Sequence, residues 1–316
     1  LGETPRSVRR CPMSYLVAAL YKFVPLPEYE SLQLPLKAML TEHQVKGILL
    51  LAPEGINATL SGPESGVRAV LAHLRGMPQF AGLEHKESWS DRAPFARLKV
   101  RLKQAIVFMG VPGADPNQDV GTYVPPTDWN ALIQDPDTVL IDTRNDYEVK
   151  IGSFEGAIDP KTPNFSDFPA WVDENRELLA GRKIAMFCTG GIRCERATAY
   201  LKEQGFDAVF HLKGGILRYL EMIPAEQSLW QGQCFVFDRR VSLGHGLVPG
   251  GLLTCGGCRA PLTSRDLESP LYQLGVSCPD CHADLSEEQR ARFSERQKQI
   301  ELAESRGEIH QVQAQS

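Results

Sequence analysis

The chain has 316 residues, 42% of them hydrophobic and 23% charged, an ordinary globular composition with room for two domains and a small appendage. A net charge of −5 argues against polyanion binding by the whole molecule, but the charge is uneven: residues 1–115 hold 14 Lys/Arg against 10 Asp/Glu, and residues 116–316 hold 20 against 29. The first third is therefore the better electrostatic candidate for a nucleic acid. No run approaches the roughly 18 apolar residues needed to span a bilayer. The apolar stretch at 15–20 is too short for a signal-peptide core despite Arg9 and Arg10 upstream, so a cytoplasmic protein with no membrane segment is expected.

In chain order, residues 1–13 read as an extension without a folded role, with Met13 preceding the first regular segment. Residues 14–113 alternate strand, helix, strand, strand, helix, strand. An apolar strand at 15–24 is closed by Pro25 and Pro27. Helical spacing of Leu32, Leu36, Met39 and Leu40 covers 28–43. Two strands at 47–60 hinge at Pro53-Glu-Gly55. Val67, Val70, Leu71 and Leu74 share one helical face over 65–75, and strands are predicted at 83–89 and 95–108. This series predicts an α+β domain of ferredoxin-like (acylphosphatase-like) type, one sheet with two helices on one face. Residues 114–127, rich in Pro, Gly and Asp, read as a linker.

From Asp128 to about residue 224, short buried strands alternate with helices: strands at 138–141, 184–187 and 208–212, and helices at 168–179, 195–204 and 215–221. That pattern predicts an open parallel α/β sheet, with ligands at the carboxyl ends of its strands. Residues 225–316 hold a strand segment at 230–243, a Gly-rich stretch at 244–251, a paired-cysteine module at 255–281 and a polar helix opened by a capping box from Ser286 to Gln289.

The strand at 184–187 runs directly into Cys188-Thr189-Gly190-Gly191-Ile192-Arg193, and a helix starts at Cys194 or Glu195. Gly190 and Gly191 let successive backbone N–H groups turn inward as an anion nest. The helix N-terminus adds roughly half a positive charge and Arg193 can add a full one. Such surroundings pull a thiol pKa down from about 8.5. Cys188 is therefore expected as a thiolate that a bound molecule can touch. Cys194 is a secondary thiol that suits packing better than resolving a disulfide. Asp142, Arg144 and Glu148 suit a buried ion-pair scaffold.

This loop resembles the active-site loop of the rhodanese family, with Cys188 and Arg193 at its first and last positions. Asp142-Thr-Arg144 with Glu148 and Gly156, and His211-Leu-Lys-Gly214-Gly215, are similar to that family's flanking blocks. The resemblance implies a rhodanese domain across 128–224, with a loop sized for sulfur rather than phosphate.

Cys255-Gly-Gly-Cys258 and Cys278-Pro-Asp-Cys281 stand 19 residues apart, the spacing of a two-knuckle zinc ribbon. Four thiolates complete a tetrahedral ion, so a structural zinc is expected, with two redox dithiols as the alternative; His282 is surplus. Arg97, Lys99, Arg101 and Lys103 alternate with Leu98, Val100 and Leu102, which on a strand places four cations on one face. Such a stripe could track RNA phosphates or be a plain solvated face. No Gly-x-Gly-x-x-Gly follows a strand, so no nucleotide or flavin cofactor is expected. His85 with Glu87 reads as polar strand surface rather than an iron site.

Taken together, Leu51-Ala-Pro-Glu-Gly-Ile-Asn57, the Cys188 loop through Glu195, Cys234-Phe-Val-Phe-Asp-Arg-Arg240, His245-Gly246 and the paired cysteines resemble the rhodanese-domain tRNA uridine(34) hydroxylases, from about residue 14 to 308. That resemblance implies tRNA as substrate, molecular oxygen as co-substrate and 5-hydroxyuridine at the wobble position as product. Two other readings stay open on the residues alone: a sulfurtransferase carrying a persulfide on Cys188, and a noncatalytic RNA-binding module.

Overall fold

The computed structural model describes residues 14–306; the expected extension at 1–13 and anything beyond residue 306 lie outside the described residues. The N-terminal domain runs β1 (Tyr15–Phe23), α1 (Gln33–Glu42), β2 (Lys46–Ala52), β3 (Gly55–Gly62), α2 (Glu64–Gly76), β4 (His85–Ser90) and β5 (Leu98–Leu102). Its sheet has the order β4-β1-β3-β2-β5. The first four strands are antiparallel neighbours in the expected ferredoxin-like order, and β5 adds in parallel beside β2 as an edge. Helix α1 is shorter than the spacing of its leucines suggests. Pro35 has no N–H to give and clashes with the preceding turn, so it is tolerated only in the first turn of a helix. The helix consequently starts at Gln33 rather than near residue 28.

One face of this sheet packs on the helices. Leu16, Ala18 and Leu20 of β1 meet Leu36, Leu40, Val67, Val70, Leu71 and Leu74 in a single apolar core. The opposite face, which in a free domain of this type meets water, is divided in two. On β4, Lys86, Ser88 and Ser90 are buried although polar, and Ala19 of β1 packs against the core of the next domain. On β5, Lys99 and Arg101 are exposed while Val100 is buried, as the alternation predicts, and the flanking Arg97 and Lys103 are exposed too.

The central domain runs β6 (Thr122–Val124), α3 (Pro126–Ile133), β7 (Thr138–Asp142), α4 (Asp146–Val149), β8 (Gly152–Phe154), α5 (Phe168–Glu174), α6 (Arg176–Leu179), β9 (Lys183–Phe187), α7 (Ile192–Glu203), β10 (Val209–Leu212) and α8 (Gly215–Met222). Its sheet, β6-β10-β9-β7, is parallel throughout. Ile184, Ala185, Met186 and Phe187 are all fully buried, because helices cover a parallel sheet on both faces.

Two expectations need correcting. The segment 114–127 is not a free linker: β6 pairs with β10, and Met109 and Ala114 are buried in the central core. A three-residue strand within a Pro/Gly-rich stretch carries no detectable period, so only its partner strand defines it. The helix expected over 168–179 is two helices, because Asn175 Nδ2 donates to the Trp171 carbonyl at 2.8 Å and competes with the helical backbone.

The C-terminal segment contains β11 (Trp230–Gly232), β12 (Cys234–Phe235), β13 (Ser242–Leu243), β14 (Leu253–Thr254), β15 (Pro261–Leu262), α9 (Ser264–Glu268) and α10 (Glu287–Ser305). The single strand expected over 230–243 is broken. β11 pairs with β8, whereas β12 and β13 pair with each other around a turn at Asp238–Arg240. Gly232 makes the break, with φ of 81° and the Ile151 carbonyl 2.3 Å from where a Cβ would stand. Helix α10 opens with the expected capping box: Gln289 N donates to Ser286 Oγ at 3.1 Å, and Ser286 N to Gln289 Oε1 at 2.9 Å.

Candidate active site

Cys188 stands at the carboxyl end of the central strand β9, and the chain turns through Thr189, Gly190 and Gly191 into α7. Gly191 makes the turn possible with φ of 104°. Its N–H donates to Cys188 Sγ at 3.1 Å, so an amide does aim at the sulfur. Burial works against a thiolate here. The Cys194 thiol, the Arg193 charge and the N–H groups of Cys194 and Gly191 outweigh it, bringing the Cys188 pKa down to about 5. Cys194, fully buried itself, is held well above the usual thiol range by burial and by that neighbouring sulfur. It lies 3.4 Å from Thr143 Oγ1. It therefore both packs and hydrogen-bonds Cys188.

One expectation fails. The Cys188 side chain is not open to a bound molecule in this structure; its exposure is 0%. Of the loop, only Thr189, Gly190 and Ile192 are partly exposed, and a Cβ on Gly190 would meet nothing within 4 Å. The space over the loop lies at that glycine.

Arg193 is buried and makes a two-pronged pair with Glu148, Nη1 to Oε2 at 2.6 Å and Nη2 to Oε1 at 2.8 Å. Glu148 also accepts from the Asn145 N–H at 3.1 Å and from Thr189 Oγ1 at 3.3 Å. Burial raises its pKa, but the Arg193 guanidinium and these bonds bring the net value below the usual carboxylate range. The expected Asp142–Arg144–Glu148 scaffold is thus two devices. Arg144, fully buried, pairs with Asp142 at 2.9 and 2.6 Å and reaches only the backbone carbonyl of Glu148. The Glu148 carboxylate belongs to the thiol loop.

Several groups around the loop come from elsewhere in the chain. Lys86 Nζ on β4 donates to the Gly190 carbonyl at 2.8 Å. Tyr21 on β1 donates to Glu195 Oε1 at 2.7 Å, and Tyr123 on β6 bonds the same carboxylate. Burial pushes the Cys234 thiol up to about 12 and the neighbouring Arg144 charge draws it partly back; Thr189 is in hydrogen-bonding contact with it. The domains are joined by residues in the motifs read above. Glu54 pairs with Arg196 and accepts from the Ile106 N–H at 2.8 Å. Arg240, paired with Asp238, reaches Ser88 Oγ on β4 at 2.7 Å. Those motifs are recognisable in the sequence, but nothing in them says which residues they meet.

Cys255, Cys258, Cys278 and Cys281 bring their sulfurs within 4.8 Å of one another and could hold a metal ion. The sulfur separations are 3.8 Å (Cys255–Cys281), 3.7 Å (Cys258–Cys278) and 3.9 Å (Cys278–Cys281). A tetrahedral ion with ligands about 2.3 Å away requires about 3.8 Å between sulfurs. The donor set fits. Lys150, directly after α4, ties this module to the central domain through Asp266 at 2.9 Å and Asp280 at 2.7 Å. His85 and Glu87 pair at 2.7 Å beside Arg68 and Arg75 on the exposed rim of the N-terminal sheet.

Of the basic stripe, Arg97 and Lys99 line an open cleft of about 1170 Å³ between the N-terminal sheet and the C-terminal segment, whereas Arg101 and Lys103 do not line it. Arg239, Arg259 and Arg296 line it from the other side, with the exposed ring of Phe237. These residues are far apart in sequence, and only the fold gathers them.

A ferredoxin-like domain docked on a parallel sheet whose central strand ends in a cysteine loop defines a two-domain rhodanese-type protein. Residues 15–106 match the family described as UPF0176 acylphosphatase like domain, and residues 125–222 the rhodanese-like domain. The chain is 60% identical over 296 residues to a tRNA uridine(34) hydroxylase of Rhizobium etli, covering 94% of this chain and 96% of the relative. It is similarly 60% identical to that of Agrobacterium fabrum, covering 94% of each, and 59% identical to that of Albidiferax ferrireducens, again covering 94% of each. The chain belongs to the tRNA uridine(34) hydroxylase family.

Proposed function

We propose that this protein hydroxylates C5 of uridine 34 in tRNA, with molecular oxygen as co-substrate and Cys188 as the attacking group. The observation that carries the reading is a sulfur with an amide N–H aimed at it at 3.1 Å and a pKa of about 5, in a chain 60% identical to named hydroxylases. Uracil C5 is a poor partner for oxygen until electron density is pushed onto it. Addition of the Cys188 thiolate to C6 breaks the C5–C6 double bond and moves its electron pair toward O4, which leaves C5 enolate-like. After C5 is oxygenated, loss of the C5 proton and departure of the thiolate from C6 restore the ring. Two electrons from an external reductant take the second oxygen atom to water. The reading requires the base to reach the sulfur past Thr189, Gly190 and Ile192, the loop residues with partial exposure.

The cleft bearing Arg97, Lys99, Arg239, Arg259 and Arg296 supplies cations for phosphates, and Phe237 a ring for a base, on a protein whose net charge is negative. In the four-cysteine cluster we propose a zinc ion, held by Cys255, Cys258, Cys278 and Cys281, with no open position for substrate. When bound, it supplies cross-linking of two knuckles rather than chemistry. Chelation is expected to unfold the segment around residues 253–286 while the parallel sheet stays intact, because metal binding and folding of such modules are one event. Hydrogen exchange with and without chelator reads it; unchanged protection there would show that the cysteines stabilise the module without metal.

The function is tested on tRNA from a strain lacking this protein, complemented with the wild-type chain. Position 34 should gain one oxygen in nucleoside mass, whereas a sulfurtransferase would exchange oxygen for sulfur. A tRNA carrying 5-fluorouridine at position 34 should form a covalent adduct at Cys188, since fluorine at C5 blocks release. Failure of both would overturn the reading.

A further inference from the structure

We propose that Lys86, carried by the N-terminal domain, is a positioning residue for the reactive loop: its ammonium pins the Gly190 carbonyl and adds a second cation, beside Arg193, on the side of the Cys188 sulfur. The inference rests on the reading of Cys188 as a thiolate.

Lys86 is placed by β4, where its Cα partner across the ladder is Ala19 of β1. It points from the open face of the N-terminal sheet into the central domain and is only 8% exposed. Burying an ammonium is costly unless an anion or several acceptors meet it. Among the described residues no carboxylate lies within ion-pair distance of Lys86. Its hydrogen-bond acceptor is the Gly190 carbonyl at 2.8 Å, and the Tyr21 ring lies 4.9 Å away. An ammonium has three protons to give, and these two contacts do not occupy all of them.

The charged and titratable groups facing it are Cys188, Glu195, Glu84, Arg218 and the Tyr21 hydroxyl. Glu84 is largely exposed and pairs with Lys213, and Glu195 is occupied by Tyr21 and Tyr123. The Cys188 sulfur, with the Glu195 carboxylate beside it, is therefore the anion that compensates the buried charge. The residue Lys86 holds, Gly190, is the one with open space above it. A rhodanese sheet alone therefore lacks one of its cations, and docking of the ferredoxin-like sheet completes the loop.

The test uses the full chain with Lys86→Met and Lys86→Arg. Thiolate absorbance near 240 nm is titrated in each, as the difference from the same protein carrying Cys188→Ala, so that other thiols cancel. Lys86→Met should move the Cys188 midpoint up by about one unit, the size an opposite charge can have on a buried group, and Lys86→Arg should restore most of it. A residue that merely packs would leave the midpoint where it was, and that result overturns the inference. Absence of any wild-type thiolate below pH 8 would instead sink the reading of Cys188, and this inference with it.

A reciprocal measurement covers the case in which Lys86→Met does not fold. Electrostatic coupling is mutual, so Cys188→Ala should let Lys86 lose its proton more easily. The Lys86 midpoint, which burial brings down to about 8, should fall by about one unit more, read by NMR of its side-chain ammonium. An unchanged midpoint overturns the proposal.

Discussion

Cys188→Ser is expected to lower hydroxylation of uridine 34 by at least about a thousandfold, with the fold and tRNA affinity intact. Removing an attacking group costs far more than removing a contact. Serine fits the space, but its hydroxyl stays protonated at neutral pH where the thiol is ionised. With Cys188 in its proposed role, the pH profile of the wild-type enzyme follows from the same group. Its pKa is depressed to about 5, so the reactive form is present above that value and is lost as pH falls through it. Below about pH 5 the rate should therefore drop about tenfold per unit, and between pH 6 and 8 it should be flat on the acid side. A thiol near 9 would instead give a rate that falls all the way from pH 8. Single-turnover rates on an anticodon-stem substrate decide between the two profiles.

The second large effect is on stability. Glu148→Ala is expected to destabilise the protein by about 3–5 kcal/mol, because it leaves the buried Arg193 guanidinium without its anion. The carboxylate is fully buried and holds both guanidinium nitrogens, and it also accepts from Asn145 N and Thr189 Oγ1. Among the described residues no other carboxylate pairs with Arg193, and Asp142 is taken by Arg144. Glu148→Gln keeps the shape and one acceptor, so it should fall between the two. Urea unfolding measures both, and a loss under about 1 kcal/mol for the alanine variant would show that water takes over the role of the carboxylate.

Much of this protein is written locally. The period-two and helical patterns of residues 15–90 suffice to give a ferredoxin-like order, because each strand must put its apolar set on the helix side. The apolar run 184–187 ending in Cys188-Thr-Gly-Gly points to a tight loop after a buried strand, and the turn requires glycine at 191, where φ is 104°. The paired cysteines announce their cluster by spacing, which the sulfur separations near 3.8 Å then match.

What the tertiary structure decided is who meets whom. Lys86, Ser88 and Ser90 look like a solvated strand face, and no local rule says that a second domain covers them. Glu148 reads as scaffold until the fold turns it to Arg193 rather than Arg144. The strand at 122–124 exists only because β10 stands beside it. The cationic cleft joins residues near 97 to others near 239, 259 and 296. In each case the deciding contact spans tens of residues or more of chain, and periodicity and spacing carry information over only a few turns.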